Sequence, residues 1–433
     1  RSTILGDTLA RVLRMLGHRV VTDNHIGDWG TQFGMLLLGW KTELNEAALK
    51  QDPIAELERL YKAINADESR RDEARAELVK LQSGDEENLA IWQRMIALSQ
   101  EQFDHVYGRL GVTFDEMLGE SFYNPQLPGL VEELQGKGIA ELSEGAMVVR
   151  FPGDKQLADK PAIVRKRDGA ANYTTTDLAT LRYRMETWSP TDIVYVTDGR
   201  QQLHFQQLFN IFGRWQESVS AKLEHVWFGS ILGPDGKPFK TRSGETVRLA
   251  DLLDEAEERA LAVVSEKNPD LPDAERREIA RVVGLGALKY ADLSNNRQSD
   301  YIFDWDKMLA LQGNTAPYLQ YAYTRVRSIF RKVDAPDFTK VELQLKAPEE
   351  LALAKHLMNF GQTLEMVAQD YRPNFLCNYL FELAGHFSRF YEACPVLKAE
   401  AAERDSRLAL CELSARVLSS GLDALGIEVT EVM

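Results

Sequence analysis

The pattern of apolar residues changes near residue 251, and this change restricts the possible folds more than any other feature of the chain. Before residue 251, runs rich in valine and isoleucine alternate with segments of helical periodicity. After it, helical periodicity continues with short breaks to residue 433. Alternating strands and helices are typical of an α/β core with a parallel sheet, and a long helical region is typical of a bundle. The sequence therefore predicts an α/β core followed by an all-α domain.

Strand-like runs define the predicted sheet. They lie at residues 146–151, 162–165, 193–197 and 226–228. Residues 193–196 are apolar throughout, which suits a parallel strand that is buried on both faces. Because helical segments at 177–187 and 206–218 separate these runs, we predict a doubly wound parallel sheet.

Two further segments complete the predicted core. Apolar residues recur at helical spacing over residues 1–16 and end at Gly17, a plausible helix C-cap, and a short β-branched run follows at 19–22. The charged segment 42–110 has helical periodicity with a stop at Gly84, and it is too long for a simple crossover, so it predicts a helical insertion. The first helix begins without a capping residue. We therefore expect that upstream sequence is missing and that the chain is a fragment.

Length and composition limit the class of protein. A chain of 433 residues predicts two or three domains. The formal net charge of −15 argues against nonspecific DNA binding, so a nucleic-acid partner would need a local basic patch. Apolar runs fall short of the roughly 20 residues of a membrane span. The three cysteines have no metal-type spacing and suit a reducing cytoplasm, without a structural metal site.

A polar loop at residues 24–34 is the first predicted ligand site. It contains His25, Asp28 and Gln32 together with several glycines, and it follows the strand-like run 19–22. Open α/β sheets bind ligands at the carboxyl ends of their strands. A lone histidine is usually structural, but this cluster indicates a functional loop.

A second glycine-rich loop at residues 233–244 carries several cations, among them Lys237, Lys240 and Arg242. A basic loop after the last strand suits the negative charge of a triphosphate. A β-turn at 234–236 would by itself explain the glycines.

The helical region contains one basic segment. Residues 307–333 include no aspartate or glutamate, and cations alternate there with aromatic side chains. Cations can contact phosphates and aromatic rings can stack on unpaired bases, so this segment predicts an RNA-binding face. The predicted contact residues are Tyr318, Tyr321, Arg325, Arg327 and Arg331. Aromatic residues in the bundle core with arginines facing solvent are the alternative.

Several motifs resemble those of one enzyme family. They are RSTILGD at 1–7, DNHIGDWGTQFG at 23–34, LGES at 118–121, YTTTDLA at 173–179, KPFKTRSGE at 237–245, ALKYADLS at 287–294 and NTAPYLQYA at 314–322. In this order they resemble the arginyl-tRNA synthetases, which are class I aminoacyl-tRNA synthetases. The resemblance implies a Rossmann-like class I catalytic core with a helical insertion, followed by an all-α anticodon-binding bundle.

The H-I-G-H signature of class I synthetases lies between the first strand and the first helix. His25-Ile26-Gly27-Asp28 nearly matches it but follows the first predicted helix. We therefore expect the signature upstream of Arg1, and we expect the chain as it stands to be inactive. The basic loop resembles the K-M-S-K-S loop, although Thr241 stands where its catalytic lysine would be.

The resemblance also implies substrates and site residues. Glu120, Tyr173, Asp177 and Gln201 are implied as ligands of L-arginine. Tyr173 and Asp177 are four residues apart at a helix start and so share a face. Asp177 could instead cap that helix, Glu120 could be a surface carboxylate, and Gln201 could have no role. We assign ATP binding to His25, Gly27, Asp28, Gln32 and His204, and catalytic contacts to Lys240, Arg242 and Lys237.

The resemblance predicts an arginine–tRNA ligase that uses ATP with Mg²⁺ and binds tRNA(Arg). A noncatalytic tRNA-binding protein with a degenerate core is the alternative, and another class I synthetase is disfavoured because a guanidinium pocket suits few other amino acids. We expect a cytoplasmic monomer with neither membrane nor DNA partners. The predicted domains are a catalytic core at 1–232, a phosphate loop with a helical stem-contact region at 233–312, and an anticodon-binding domain at 313–433.

Overall fold

A computed structural model describes residues 1–218, 220–237, 239, 248–333 and 335–433. The chain forms two compact units. The first unit comprises Arg1–Val20, Tyr195–Gln201 and His225–Met433, and the second comprises Val21–Val194 and Gln202–Glu224.

The α-helices are α1 Ser2–Met15, α2 Gln32–Glu43, α3 Glu46–Gln51, α4 Pro53–Ala66, α5 Arg71–Gln82, α6 Glu86–Arg109, α7 Glu120–Tyr123, α8 Leu127–Gly136, α9 Tyr173–Trp188, α10 Gln202–Trp215, α11 Leu249–Lys267, α12 Asp273–Leu293, α13 Trp305–Met308, α14 Ala316–Phe330, α15 Pro348–Met358, α16 Phe360–Asp370, α17 Asn374–Ala393 and α18 Ala401–Ala424. The strands are β1 Glu141–Ser143, β2 Ala146–Val149, β3 Ala162–Arg165, β4 Asp192–Tyr195, β5 Lys222–His225, β6 Ile231–Leu232 and β7 Tyr301–Ile302.

In the second unit, α2 to α6 pack around an apolar cluster that includes Leu37, Leu60, Leu81 and Met95. The predicted helical segment 42–110 is thereby confirmed. The predicted stop at Gly84 is also confirmed, because this residue has φ +89° and the next N–H, that of Asp85, donates to the carbonyl of Lys80 at 3.0 Å.

One part of the predicted parallel sheet is wrong. β1, β2 and β3 form an antiparallel sheet in which Val149 pairs with Ala162. Residues 150–161 between β2 and β3 form turns rather than a helix. A parallel connection requires a crossover, usually through a helix, so this link returns the chain in the opposite direction.

The expected strand at 19–22 is not formed either. The neighbouring Asp23 makes a single parallel bridge with Glu116. This bridge brings the polar loop 24–34 next to residues 115–121.

In the first unit, α1 ends as predicted at Gly17, whose φ is +89°. The His18 N–H donates to the carbonyl of Leu13 at 3.0 Å, which closes the helix. The expectation that strands stop at residue 251 is wrong, because Ile231 of β6 pairs in parallel with Tyr301 of β7. A two-residue strand is too short to produce a periodic signal.

The helical region of the first unit agrees with the sequence prediction. Thr315 caps α14 by accepting a hydrogen bond from the Tyr318 N–H at 3.3 Å, and Pro317 lies in the first turn, where its missing N–H is not needed. Each helix in the described residues is too short or too polar to cross a membrane.

Candidate active site

Helix α9 supplies the central carboxylate of the site. Tyr173 is its first residue, so Tyr173 and Asp177 lie on one face as predicted. The N-cap residue is Asn172 and Asp177 lies in the second turn, so the alternative in which Asp177 caps the helix is wrong.

The loop that begins at Asp23 is joined to residues 115–121 by several hydrogen bonds. The Asn24 N–H donates to the Glu116 carbonyl at 3.0 Å, and the Glu120 N–H donates to the Ile26 carbonyl at 3.1 Å. The Asp23 side chain accepts from the Leu118 N–H at 3.2 Å. These bonds hold the polar loop against the start of α7, and they bring Glu120 and His25 into the same region.

Asp28 caps α7 from outside the helix. The N-cap position is Gly119, which has no side chain, and Asp28 accepts from the Ser121 N–H at 2.8 Å and from the Ser121 hydroxyl at 2.6 Å. A Cβ atom on Gly119 would lie 2.4 Å from the Asp28 Oδ2 atom. Glycine is therefore required at position 119 for this carboxylate to reach α7.

Two histidines flank Asp177. The His204 Nε2 atom lies 2.6 Å from the Asp177 Oδ2 atom. The His25 Nε2 atom lies 3.8 Å from Asp177 Oδ1, while His25 Nδ1 is 2.9 Å from the Leu118 carbonyl oxygen. The Tyr173 ring lies edge-on to the His204 ring, with centroids 4.8 Å apart.

Glu120 adds a second carboxyl group to the site. It is half-buried, so the alternative of a surface carboxylate is wrong. Burial raises the pKa of the Glu120 carboxyl to about 6, and the nearby charges of Asp177 and Asp28 raise it further, against a hydrogen bond from the Trp29 backbone that lowers it. Carboxyl groups that lie this close together form a site of negative potential. The chemical group best suited to this site is an organic cation.

Arg184 is a further residue of the site, and no sequence motif indicates a role for it. Its guanidinium lies 2.8 Å from the Asp23 Oδ2 atom, and both side chains are less than 10% exposed. This buried pair fixes α9 to the loop that carries His25 and Asp28. Its only sequence signal is the spacing of seven residues from Asp177, which places both on one helical face.

The residues assigned to ATP have other contacts in the structure. His204 bonds to Asp177, Asp28 bonds to Ser121, and the Gln32 side-chain amide donates to the Gly27 carbonyl at 3.1 Å. A Cβ on Gly27 would lie 3.9 Å from Glu120 Oε1. Their role in ATP binding stays a prediction.

The remaining predicted site residues belong to the first unit. Gln201 is exposed at the end of a short 3₁₀ helix, Gly199–Gln201. Lys237 is exposed in a tight turn in which the Gly233 N–H donates to the Lys237 carbonyl at 2.7 Å and Gly236 has φ +72°. The predicted turn at 234–236 is thereby confirmed. Lys240 and Arg242 lie outside the described residues.

The predicted RNA-binding residues lie on α14 or just after it. Tyr321 is 45% exposed, and the Arg325 guanidinium lies over the Tyr391 ring at 5.2 Å. Arg327 pairs with Glu412 at 3.3 Å and Glu431 at 3.2 Å.

Two other predicted RNA-binding residues also have contacts within the first unit. Arg331 donates to the Glu431 carbonyl at 2.8 Å, and the Tyr318 ring packs against the Phe381 ring with centroids 5.6 Å apart. Two of the predicted arginines, Arg327 and Arg331, therefore hold the C-terminal residues of the chain.

No group of three or more histidine, cysteine, aspartate or glutamate side chains is arranged to hold a metal ion within the described residues.

Comparison with protein families gives two matches. Residues 1–305 match the family "tRNA synthetases class I (R), catalytic domain". Residues 319–433 match the "DALR anticodon binding domain".

Similar proteins and structures cover the whole chain. The arginine–tRNA ligases of Chromobacterium violaceum and Shigella sonnei are 50% and 49% identical to it, and the match spans 100% of this chain and 77% of each relative. The arginyl-tRNA synthetase structure from Plasmodium falciparum has a TM-score of 0.85 at 29% identity, over 100% of this chain and 73% of that one. The Thermus thermophilus arginyl-tRNA synthetase has a TM-score of 0.84 at 26% identity, over 100% and 79%.

Proposed function

The chain belongs to the class I arginyl-tRNA synthetase family, and on that premise we propose that Asp177, Glu120 and Tyr173 bind the guanidinium group of L-arginine. The family reaction is the ATP-dependent ligation of arginine to tRNA, and this is the function of the chain. The single observation that carries the proposed site is the pair of half-buried carboxyl groups, Asp177 and Glu120. Burial, and after it the charge of Asp177, raises the pKa of Glu120.

The chemistry of arginine supports this assignment. A guanidinium is planar and presents five N–H donors, and a carboxylate accepts two of them in parallel. In the described residues the ion-pair partners of Asp177 are the histidines His25 and His204. Neither is a permanent cation, so the negative charge of Asp177 stays available for a ligand. Gln201 is retained as a proposed fourth ligand on the resemblance alone.

The reaction requires positioning rather than a covalent enzyme nucleophile. The carboxylate of arginine attacks the α-phosphorus of ATP, pyrophosphate leaves, and arginyl-adenylate is formed. A ribose hydroxyl of the terminal adenosine of tRNA then attacks the carbonyl carbon of the adenylate, the arginyl ester forms, and AMP leaves. We propose that Lys237, Lys240 and Arg242 stabilise the charge on the phosphates. Mg²⁺ is proposed to enter bound to ATP, since it commonly binds through substrate phosphates. Arginine and tRNA are the other substrates.

We propose further that α14 contributes to tRNA binding through Tyr321 and Arg325. The exposed ring of Tyr321 and the guanidinium of Arg325 suit stacking on a base and contact with a phosphate. The domain boundaries at residues 232 and 312, a cytoplasmic location and a monomeric state belong to the same proposal. A noncatalytic role is disfavoured because the similar proteins that cover the whole chain are ligases.

Calorimetric titration of L-arginine tests the site. We expect Asp177→Asn to weaken arginine binding by about ten-fold or more, because a hydrogen bond to a charged group is worth roughly 1.5–3 kcal/mol. Citrulline, which has nearly the same shape but no charge, should bind the variant and the wild type with similar affinity.

The matched control is Asp159→Asn, which removes an exposed carboxylate of the second unit. It should bind arginine with wild-type affinity. Equal affinity of Asp177→Asn and wild type for arginine would contradict the proposed site.

A further inference from the structure

The imidazole of His204 is not one of the proposed arginine ligands, yet its Nε2 atom lies 2.6 Å from the Asp177 Oδ2 atom. We propose that His204 is a positioning residue for arginine. Its neutral Nε2–H group holds one oxygen of Asp177, directs the other oxygen to the guanidinium, and leaves the charge of the carboxylate intact. The inference rests on the proposed guanidinium site and assigns to His204 a role other than ATP binding.

The two oxygens of Asp177 have different surroundings. Oδ2 is 2.6 Å from His204 Nε2, a short hydrogen bond to a carboxylate. Oδ1 is 3.8 Å from His25 Nε2, beyond hydrogen-bond range. One oxygen is thus committed to the protein, while the other can accept from a ligand. The carboxylate would otherwise rotate freely about its last torsion angle, which for aspartate is broad.

The other ring nitrogen of His204 determines the charge of the imidazole. Nδ1 is buried, and among the described residues it has no hydrogen-bond partner. An imidazolium carries an N–H on both nitrogens, so a charged His204 would bury an unpaired, charged donor. We therefore infer the neutral tautomer with its proton on Nε2. In this tautomer the one N–H donor is paired with Asp177, and the buried Nδ1 atom is an uncharged acceptor, which is less costly to leave unpaired than a charged donor.

A neutral His204 matters for the selection of a cation. An imidazolium would cancel the charge of Asp177 and repel the guanidinium, whereas a neutral donor orients the carboxylate without cancelling its charge. The other titratable groups that face this pair are His25, Tyr173 and Glu120, and the Tyr173 ring packs edge-on against His204. His25 faces the oxygen that remains open to the ligand.

Two substitutions at position 204 distinguish a hydrogen bond that orients Asp177 from a ring that only fills space. His204→Gln keeps an N–H donor near the position of Nε2, while His204→Phe keeps the ring and removes the donor. If His204 orients Asp177, the Gln variant binds arginine within a few-fold of wild type and the Phe variant loses about ten-fold. If His204 only fills space, the Phe variant binds well and the Gln variant does not, and this order overturns the proposal. His204→Leu serves as the donor-free variant if the phenyl ring does not fit.

The charge of His204 is tested by the pH dependence of arginine affinity. With a neutral imidazole, the affinities of wild type and His204→Gln run parallel between pH 6.5 and pH 8. A charged imidazole would make the Gln variant bind arginine more tightly than wild type at the acid end, because a positive charge has been removed. That result would overturn the inferred tautomer.

Two further measurements distinguish this inference from the proposed function. ATP affinity, measured by titration of a non-hydrolysable analogue, should be unchanged in His204→Phe, and a selective loss of ATP binding would return His204 to the triphosphate site. Asp177→Asn is titrated in parallel. Loss of arginine binding in Asp177→Asn but not in His204→Phe would overturn the role of His204 alone. Unchanged binding in both would reject the proposed arginine site itself.

Discussion

At the residue scale, Glu120 couples substrate binding to protonation. Its pKa of about 6 means that roughly half of the free sites carry a proton on this carboxyl at pH 6. A bound guanidinium favours the ionised form and expels the proton. We predict release of about half a proton per arginine at pH 6 and almost none at pH 8, with arginine affinity falling as the pH drops through 6.

Proton release is measured by titration calorimetry in buffers with different ionisation enthalpies. Glu120→Gln cannot ionise, so it should release no proton at either pH. An equal release from wild type and from this variant at pH 6 would show that another group is responsible.

Gly119 illustrates a constraint of space rather than of charge. Its φ of −73° is accessible to any residue, so the cost of Gly119→Ala comes from the contact between the new Cβ and Asp28. We predict that Gly119→Ala lowers the free energy of unfolding by about 1–3 kcal/mol, as crowding in a packed site does. The control is Gly129→Ala in α8, where a Cβ meets nothing within 4 Å.

Because alanine has a higher helix propensity than glycine, Gly129→Ala in the first turn of α8 should instead stabilise by up to about 1 kcal/mol. Chemical denaturation of both variants provides the test. Effects of the same sign at both positions would mean that contact with Asp28 does not determine the cost at position 119.

The sequence identified the residue types of this site better than their partners. Asp177 and Tyr173 could be placed on one helix face because a helix has a fixed period. The contacts of Asp177 with His204 and of Asp28 with Ser121 join residues that are 27 and 93 positions apart. Such distant pairs depend on how elements pack, and local periodicity carries no information about packing.

At the element scale, α14 combines two roles that its sequence does not distinguish. Arg325 lies over Tyr391, whereas Arg327 pairs with Glu412 and Glu431. We predict that Arg325→Ala reduces the salt slope of tRNA binding by about one unit, since one phosphate contact is lost. Arg327→Ala should leave the slope unchanged and lower stability by about 1 kcal/mol or less, because its pairs are partly exposed.

Filter binding at several salt concentrations, together with denaturation, measures both effects. A smaller salt slope in Arg327→Ala would mean that this side chain leaves its carboxylates to contact tRNA. That result would contradict the proposal that Arg325 contacts tRNA while Arg327 only stabilises the fold.

Helices and strands differed in how well the sequence predicted them. α1 and α14 each follow an apolar period that repeats within the element. The link between β2 and β3 and the pairing of β6 with β7 depend on partners elsewhere in the chain. A run of β-branched residues predicts that a strand is present, but it does not predict the direction of the strand or its neighbour in the sheet. For this reason the prediction of a parallel sheet at residues 146–165 is wrong.

At the scale of the whole molecule, residues from both ends of the chain meet around Lys289 in the first unit. This side chain of α12 is buried and donates to the Gly426 carbonyl. Asp7 and Arg11 of α1, which pair with each other at 2.8 Å, lie near it. Burial lowers the pKa of Lys289 to about 8, opposed by the charge of Asp7. The contact between α1, α12 and the C-terminal residues therefore contains a lysine whose charge disfavours folding.

The sign of the resulting pH dependence follows from the two pKa values. Below pH 8 Lys289 is charged in both the folded and the unfolded chain, and the folded chain bears the full cost of burying it. Between pH 8 and about 10.5 the unfolded chain binds more protons, so the stability contributed by this group rises with pH. A lowering of the pKa by this amount corresponds to about 3 kcal/mol of destabilisation at pH 7. A substitution recovers less than this, because it also removes the hydrogen bond to the Gly426 carbonyl.

We predict that Lys289→Met is more stable than wild type at pH 7 and that this advantage shrinks steadily towards pH 10. Urea denaturation of the two proteins at pH 7, 8, 9 and 10 measures the difference between their free energies of unfolding. Groups that titrate in both proteins contribute equally to the two values and cancel in this difference. A difference that stays constant over this range would mean that Lys289 keeps its proton in the folded chain, and that Asp7 and the Gly426 carbonyl fully compensate for its burial.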